Sequence, residues 1–269
     1  MTEEHPVWVP EFFADTILVN GKVWPHLTVE PRKYRFRILN GSNARFYTLR
    51  LAAAATLPSH QIGSEGGLLP ATAVLDALTL AAGERADVIV DCSAQAGQTF
   101  VLRNAAKTPF PIGTPPDPKT TGQVMQFRVL PVASTLDASV VPLSPRPLTR
   151  LEAVSAARVR DVELVEHLDE NGERVTALID DKMWRDATDM FAKLGATDVC
   201  RVINTTGDTH PIHLHLVQFQ VLDRPTSLEH EDNDMMRPFE VRPATKSAAG
   251  AAPPLRPLSA SARARTARR

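Results

Sequence analysis

Asp15-Thr16-Ile17-Leu18-Val19-Asn20-Gly21-Lys22-Val23-Trp24 reads as a strand, a two-residue turn and a second strand. Asn-Gly readily takes positive φ at both central positions of a type I′ hairpin turn, and the apolar, β-branched residues on either side favour extended backbone. In the second half of the chain Leu178-Ile179-Asp180-Asp181-Lys182-Met183-Trp184 echoes the same order of residue types. A further echo follows each stretch: Arg37-Ile38-Leu39-Asn40 in the first half and Arg201-Val202-Ile203-Asn204 in the second, both leading into a polar turn. Two copies of one β-domain is the simplest account. Trp24 and Trp184 are then expected to be core or interface anchors.

Outward from these stretches the pattern continues. Lys33–Leu39 runs into Asn40-Gly41, and Phe46–Leu51, Ala86–Val90 and Phe100–Leu102 are also strand-like. Helical periodicity shows only near Thr149–Ala157 and Arg185–Lys193. Many short strands with turn signals between them predict an all-β sandwich or barrel. Nine prolines between Pro109 and Pro147 rule out one regular element there, and Pro131–Pro147 reads as an interdomain linker. The expected organisation is a metal-free domain over 1–132, a linker over 133–150, a second, partial domain over 151–242 and a disordered basic tail over 243–269.

Composition limits the function classes. With 43% apolar and 23% charged residues the chain has the make-up of a soluble globular protein. Lys246, Arg256, Arg263, Arg265, Arg268 and Arg269 fall in the tail without an acid among them, so the rest of the chain is net acidic and gives no reason to expect nucleic-acid binding. No apolar run approaches membrane-spanning length, and Met1-Thr2-Glu3-Glu4-His5 is acidic with no apolar run behind it, so a cytoplasmic protein is expected. Cys92 and Cys200 lie in strand-like runs and read as apolar fillers rather than a disulfide.

Chemistry concentrates in His210-Pro211-Ile212-His213-Leu214-His215, which holds three of the eight histidines. Leu216–Leu222 behind it reads as a strand. Alternation along a strand puts His213 and His215 on one face, while His210 has the opposite parity and is set apart by Pro211. The segment thus offers ligands to two neighbouring metal positions, and imidazole suits copper, zinc, iron and nickel. His5, His26, His60 and His167 stand singly and read as surface or core residues. A cupin site is the nearest rival, since Gly207 precedes His213-x-His215 at the right spacing, but Phe219 and Gln220 stand where its glutamate is needed. No His-x-x-x-His helix, no Gly-x-Ser-x-Gly and no phosphate loop is present.

With these motifs in view, the chain resembles the multicopper oxidases, in particular the bacterial laccases, bilirubin oxidases and phenoxazinone-synthase-like enzymes. The matching stretches are Asp15–Trp24, Pro31–Tyr47, Gln61–Leu69, Leu80–Asp91, Val202–Arg224 and Glu229–Val241. The resemblance implies cupredoxin-like Greek-key β-barrels, one complete and one partial, corresponding to the second and part of the third barrel of the family. It implies one-electron oxidation of phenols, pigments, aminophenols or metal ions coupled to reduction of dioxygen. Carried over by position, His210, His230 and the axial Met235 are ligands of the type 1 copper, His213 of the type 2 copper and His215 of the type 3 pair.

The chain also departs from the family. Pro225 stands where the type 1 cysteine belongs, and Arg224 and Thr226 where type 3 histidines belong. The first barrel and several tens of residues between the two motifs have no counterpart. The expectation is therefore an inactive fragment with no catalytic residues of its own and less than the full copper complement. The alternative is a non-catalytic β-sandwich scaffold with at most one weak copper or zinc site.

Overall fold

The structure, a computed structural model, describes residues 11–52, 56–65, 67–170, 174–188, 190–214, 219–223 and 262–266. The chain divides into two units, Met1–Pro145 and Arg146–Arg269.

The opening stretch folds as its sequence requires. β1 (Leu18–Val19) and β2 (Lys22–Val23) pair antiparallel around Asn20 and Gly21, whose φ angles of 50° and 78° are both positive. Ten more strands complete the first unit: β3 (His26–Val29), β4 (Lys33–Leu39), β5 (Tyr47–Ala52), β6 (Thr56–Leu57), β7 (Ser59–Ser64), β8 (Gly67–Leu75), β9 (Leu78–Leu80), β10 (Arg85–Asp91), β11 (Thr99–Asn104) and β12 (Gln123–Val129). They form one sheet in the order β4-β10-β7-β8 and another in the order β3-β12-β11-β5-β6, with β9 also on β5. Consecutive strands such as β4 and β5 belong to different sheets, as Greek-key connections require.

Between the sheets the apolar residues form two adjoining clusters. One holds Ile17, Leu49, Leu78, Leu80 and Val88, the other Val29, Leu51, Val90, Phe100 and Phe127, and Phe36 and Leu102 touch both. Asn40-Gly41 is not a hairpin turn, because β4 pairs with β10 and not with β5. Asn40 is instead buried, with its amide donating to the carbonyls of Arg45 and Leu80 while its Oδ1 accepts from the Ser42 N–H.

The stretch read as an interdomain linker is strapped to the first unit over much of its length. Asp137 Oδ2 accepts from the Lys33 N–H at 2.8 Å, and Asp137 Oδ1 accepts from the Ser139 N–H at 2.9 Å. Further on, the Thr72 N–H donates to Leu143 O and Ser144 Oγ to Pro70 O, which covers the free edge of β8. The physical reason is that an edge strand leaves N–H and C=O groups to be satisfied, and this segment lies within reach. The Asp137 carboxyl is held well below the usual carboxylate range, first by the Lys33 N–H and then by Ser139. A depressed carboxyl contributes stability that is complete above its unfolded value of about 4 and is lost as pH falls below it. Asp137→Ala is therefore expected to lower the amide-exchange protection factors at Lys33 and Ser139 at neutral pH, and acid to lower them in the parent. Equal protection factors in the two proteins at neutral pH would show that Asp137 does not anchor the strap.

The second unit has β13 (Arg158–Leu168), β14 (Arg174–Ile179), β15 (Asp198–Asn204), β16 (Phe219–Asp223) and β17 (Ala262–Thr266) in a single sheet of order β14-β13-β15-β17-β16. The sequence repeat is visible in its geometry. Asp180 and Asp181 take φ of 52° and 58°, and Ile179 bridges Lys182 as Val19 pairs with Lys22. β13 runs parallel to β15, and Arg201 pairs with Asp161 directly across this register.

Two expectations need correction here. The helical periodicity near 149–157 yields only a short 3-10 turn at Ala153–Ser155, and none appears among the described residues of 185–193, where Arg160 instead donates to Phe191 O. Within the segment read as a disordered tail, Ala262–Thr266 forms β17, antiparallel to both β15 and β16, and the rest of 243–269 lies outside the described residues. Its sequence Ala262-Arg263-Ala264-Arg265-Thr266 alternates with the period of a strand, and the edges of β15 and β16 supply the backbone partners. Trp184 is no anchor within its unit but fully exposed, whereas Trp24 shares a groove with His26, Met125 and Gln123. The difference is architectural, because the first unit has a second sheet to lie against and the described part of the second has one sheet only.

Candidate metal centre

The loop that follows β15 is built by Asn204, which is 1% exposed. Its amide nitrogen donates to Asp208 O at 2.7 Å, and its Oδ1 accepts from the Thr206 N–H at 3.1 Å and from Thr206 Oγ1 at 2.7 Å. The same Asx arrangement surrounds Asn40 in the first unit, so both halves of the repeat use one buried asparagine to turn the chain. In the second unit the turn presents an imidazole. His210 Nε2 lies 2.7 Å from Thr206 Oγ1, 3.1 Å from Asp208 Oδ1 and 3.4 Å from Glu166 Oε1.

Glu166 arrives from β13. Leu164 pairs with Asn204, the last residue of β15, so β13 runs on past its neighbour. Glu166, two residues beyond Leu164, projects from the same face of the strand onto the loop. The loop is tied back to β13 as well, since Thr205 N–H and Oγ1 both donate to Leu164 O. Glu166, Asp208 and His210 thus bring one possible ligand atom each to within 4.8 Å of one another. Burial lowers the His210 pKa, but the hydrogen bonds to Asp208 and Glu166 outweigh it and raise the group to about 9. A metal ion at this imidazole would have to displace a proton, as metal binding to histidine generally does.

The other residues expected at the site fall as follows. His213 is exposed and lies ahead of β16, outside any strand, so the alternation argument does not hold at this residue. Pro211 just before it has no N–H to give to a ladder. The expected strand over 216–222 is seen as Phe219–Asp223. His215, His230 and Met235, with Pro225 and its neighbours, lie outside the described residues. Glu166, Asp208 and Thr206 were not found by sequence reasoning. The spacing of Asp208 and Thr206 ahead of His210 was a usable signal, whereas Glu166 is brought in only by the pairing of β13 with β15.

Both cysteines are free thiols. Cys92 is buried in the first unit, where burial first and Asp91 second push its thiol up to about 11. Cys200 sits four residues back along β15 from Asn204, about 13 Å at strand spacing, and burial raises it too. Among the described residues, the donors gathered at His210 are nitrogen and oxygen without sulfur, a set for one borderline divalent ion rather than for a blue-copper centre.

Residues 160–228 match the multicopper oxidase domain family. The laccase of Bacillus subtilis is 44% identical over 222 residues, which are 82% of this chain and 42% of that protein. The multicopper oxidase LPR2 of Arabidopsis thaliana is 35% identical over 228 residues, 85% of this chain and 39% of that protein. Among solved structures, the McoA multicopper oxidase of the hyperthermophile Aquifex aeolicus superposes with a TM-score of 0.72 at 27% identity, over 97% of this chain and 55% of that one. The chain spans less than half the length of these two curated relatives. Among the described residues, no helix is long and apolar enough to cross a membrane.

Proposed function

Because the chain belongs to the multicopper oxidases while spanning only part of its relatives, we propose that it is a ligand-bearing part of a copper oxidoreductase acting on small reducing substrates with dioxygen as the electron acceptor. In this reading 1–132 is the metal-free barrel and 151–242 the partial barrel that carries the ligands. His210, His213, His215, His230 and Met235 are the residues that would hold copper. The observation that carries the reading is the Asn204–Thr206–Asp208–His210 network, which presents the imidazole from the segment matched to the family. The residues described do not fit a type 1 centre, because the donors gathered at His210 include no thiol. No electron-transfer step through such a centre is assigned to this chain.

By itself the chain is read as holding one weakly bound Cu(II) or Zn(II), with open coordination and little preorganisation. Copper titration of the parent against the His213→Ala/His215→Ala double variant tests this. The variant is expected to bind at least about tenfold more weakly, roughly 1.4 kcal/mol. Equal affinity would remove these two histidines from the site. The lack of a thiol among the donors gathered at His210 favours the second reading, a scaffold without catalysis, for the isolated chain.

A further inference from the structure

On the reading of His210 as a metal ligand, we propose that Glu166, Asp208 and Thr206 are positioning residues which keep the proton on Nε2 and leave Nδ1 to take the metal. Three oxygens surround Nε2, at 2.7 Å from Thr206, 3.1 Å from Asp208 and 3.4 Å from Glu166. Two of them are carboxylate oxygens, which only accept. The third belongs to Thr206, whose single hydroxyl hydrogen has Asn204 Oδ1 within 2.7 Å, so towards His210 this oxygen acts as an acceptor as well. Nε2 therefore faces acceptors alone and serves as the donor.

Glu166 and Asp208 could instead be co-ligands of an ion bound at His210 Nε2, since the ligand atoms of these three residues lie within 4.8 Å of one another. What separates the two arrangements is Thr206. Its hydroxyl is already fixed to the buried Asn204 and occupies Nε2 at hydrogen-bond distance, whatever the carboxylates do. Ligating histidines usually donate their second ring N–H to a carboxylate, which fixes both tautomer and ring orientation. Glu166 and Asp208 supply two such carboxylates, one from a strand of the sheet and one from the loop itself. The sequence repeat contains no equivalent in the first unit, where Asn40 builds the same turn but no histidine follows it.

Zinc is the probe, because it is diamagnetic and binds imidazole. The full chain is labelled with nitrogen-15 in its histidine rings, and His210→Gln assigns the His210 signals. In the metal-free protein the His210 Nε2–H is expected as a slowly exchanging downfield resonance. On adding Zn(II), the Nδ1 of His210 should take the metal-bound shift while the Nε2–H persists. In Asp208→Asn/Glu166→Gln the Nε2–H should exchange faster and zinc should bind some 10- to 100-fold more weakly, distributed over both ring nitrogens. Asp208→Glu, which restores the carboxylate, should recover Nδ1 binding. The backbone amide spectrum of the first unit serves as the folding control. Zinc on Nε2 in the parent would overturn the positioning proposal while leaving His210 a ligand. No zinc-induced change at His210 would overturn the ligand reading on which the proposal rests.

Discussion

Phe100→Ala will cost the first unit about 3–5 kcal/mol, the range for emptying a buried aromatic site. Phe100 is 1% exposed on β11, which lies between β5 and β12. Its ring stacks on Phe127 at 5.2 Å, and Phe127 in turn meets Phe36 edge-on at 5.6 Å. The chain of rings joins the two sheets, since Phe36 is on β4 and Phe100 and Phe127 are on the other sheet. Alanine leaves a cavity at this junction that stiff strands on both sides cannot close. Domains of this size are stable by only about 5–15 kcal/mol, so the loss is a large share of the total. Denaturant unfolding followed by amide exchange in β11 and β12 measures it. Val132→Ala, at an exposed position, is the matched control and should stay within about 0.5 kcal/mol of the parent. A Phe100→Ala loss as small as the control's would mean that the two clusters are not one core.

The second large effect is an absence. Given copper, the purified chain is expected neither to turn intensely blue nor to consume dioxygen with a phenol. The blue colour needs a copper–thiolate bond, and thiolate is the form of cysteine that binds metal. Cys92 is enclosed in the first unit with its thiol pushed up to about 11, so it is protonated at neutral pH. Cys200 is half-buried, also raised, and points from the middle of β15 rather than from the loop that carries His210. Pro225 occupies the position that the family resemblance gives to the cysteine. An intense blue band that disappears in Cys200→Ser would refute this and require β15 to carry a copper ligand. Copper-dependent oxygen uptake would refute the reading of the chain as inactive on its own.

The sequence by itself was enough to determine the β-architecture. Local chemistry decides it: Asn20-Gly21 can take two positive φ angles where most dipeptides cannot, and apolar residues with strand spacing surround it. The internal repeat was legible for the same reason, because Asp180-Asp181 and the two buried asparagines, Asn40 and Asn204, each solve a local backbone problem in the same way. The histidine-rich segment suggested metal ligation by density and spacing alone, a reading that the copper titration tests.

Tertiary structure decided what depends on partners distant in sequence. Which residues surround His210 follows from the register of β13 on β15, and no periodicity links Glu166 to a loop some forty residues later. The alanine–arginine run near the end becomes a strand because two sheet edges need hydrogen-bond partners, not because its propensity demands it. The proline-rich stretch becomes a strap because β8 has an open edge, and Asp137 holds it because Lys33 offers an N–H there. Trp24 and Trp184 occupy matching places in the repeat, yet their burial differs because, among the described residues, only the first unit folds a second sheet beside its hairpin. In each case the local sequence sets what a segment can do, and the competition for unsatisfied backbone groups and apolar surface selects what it does.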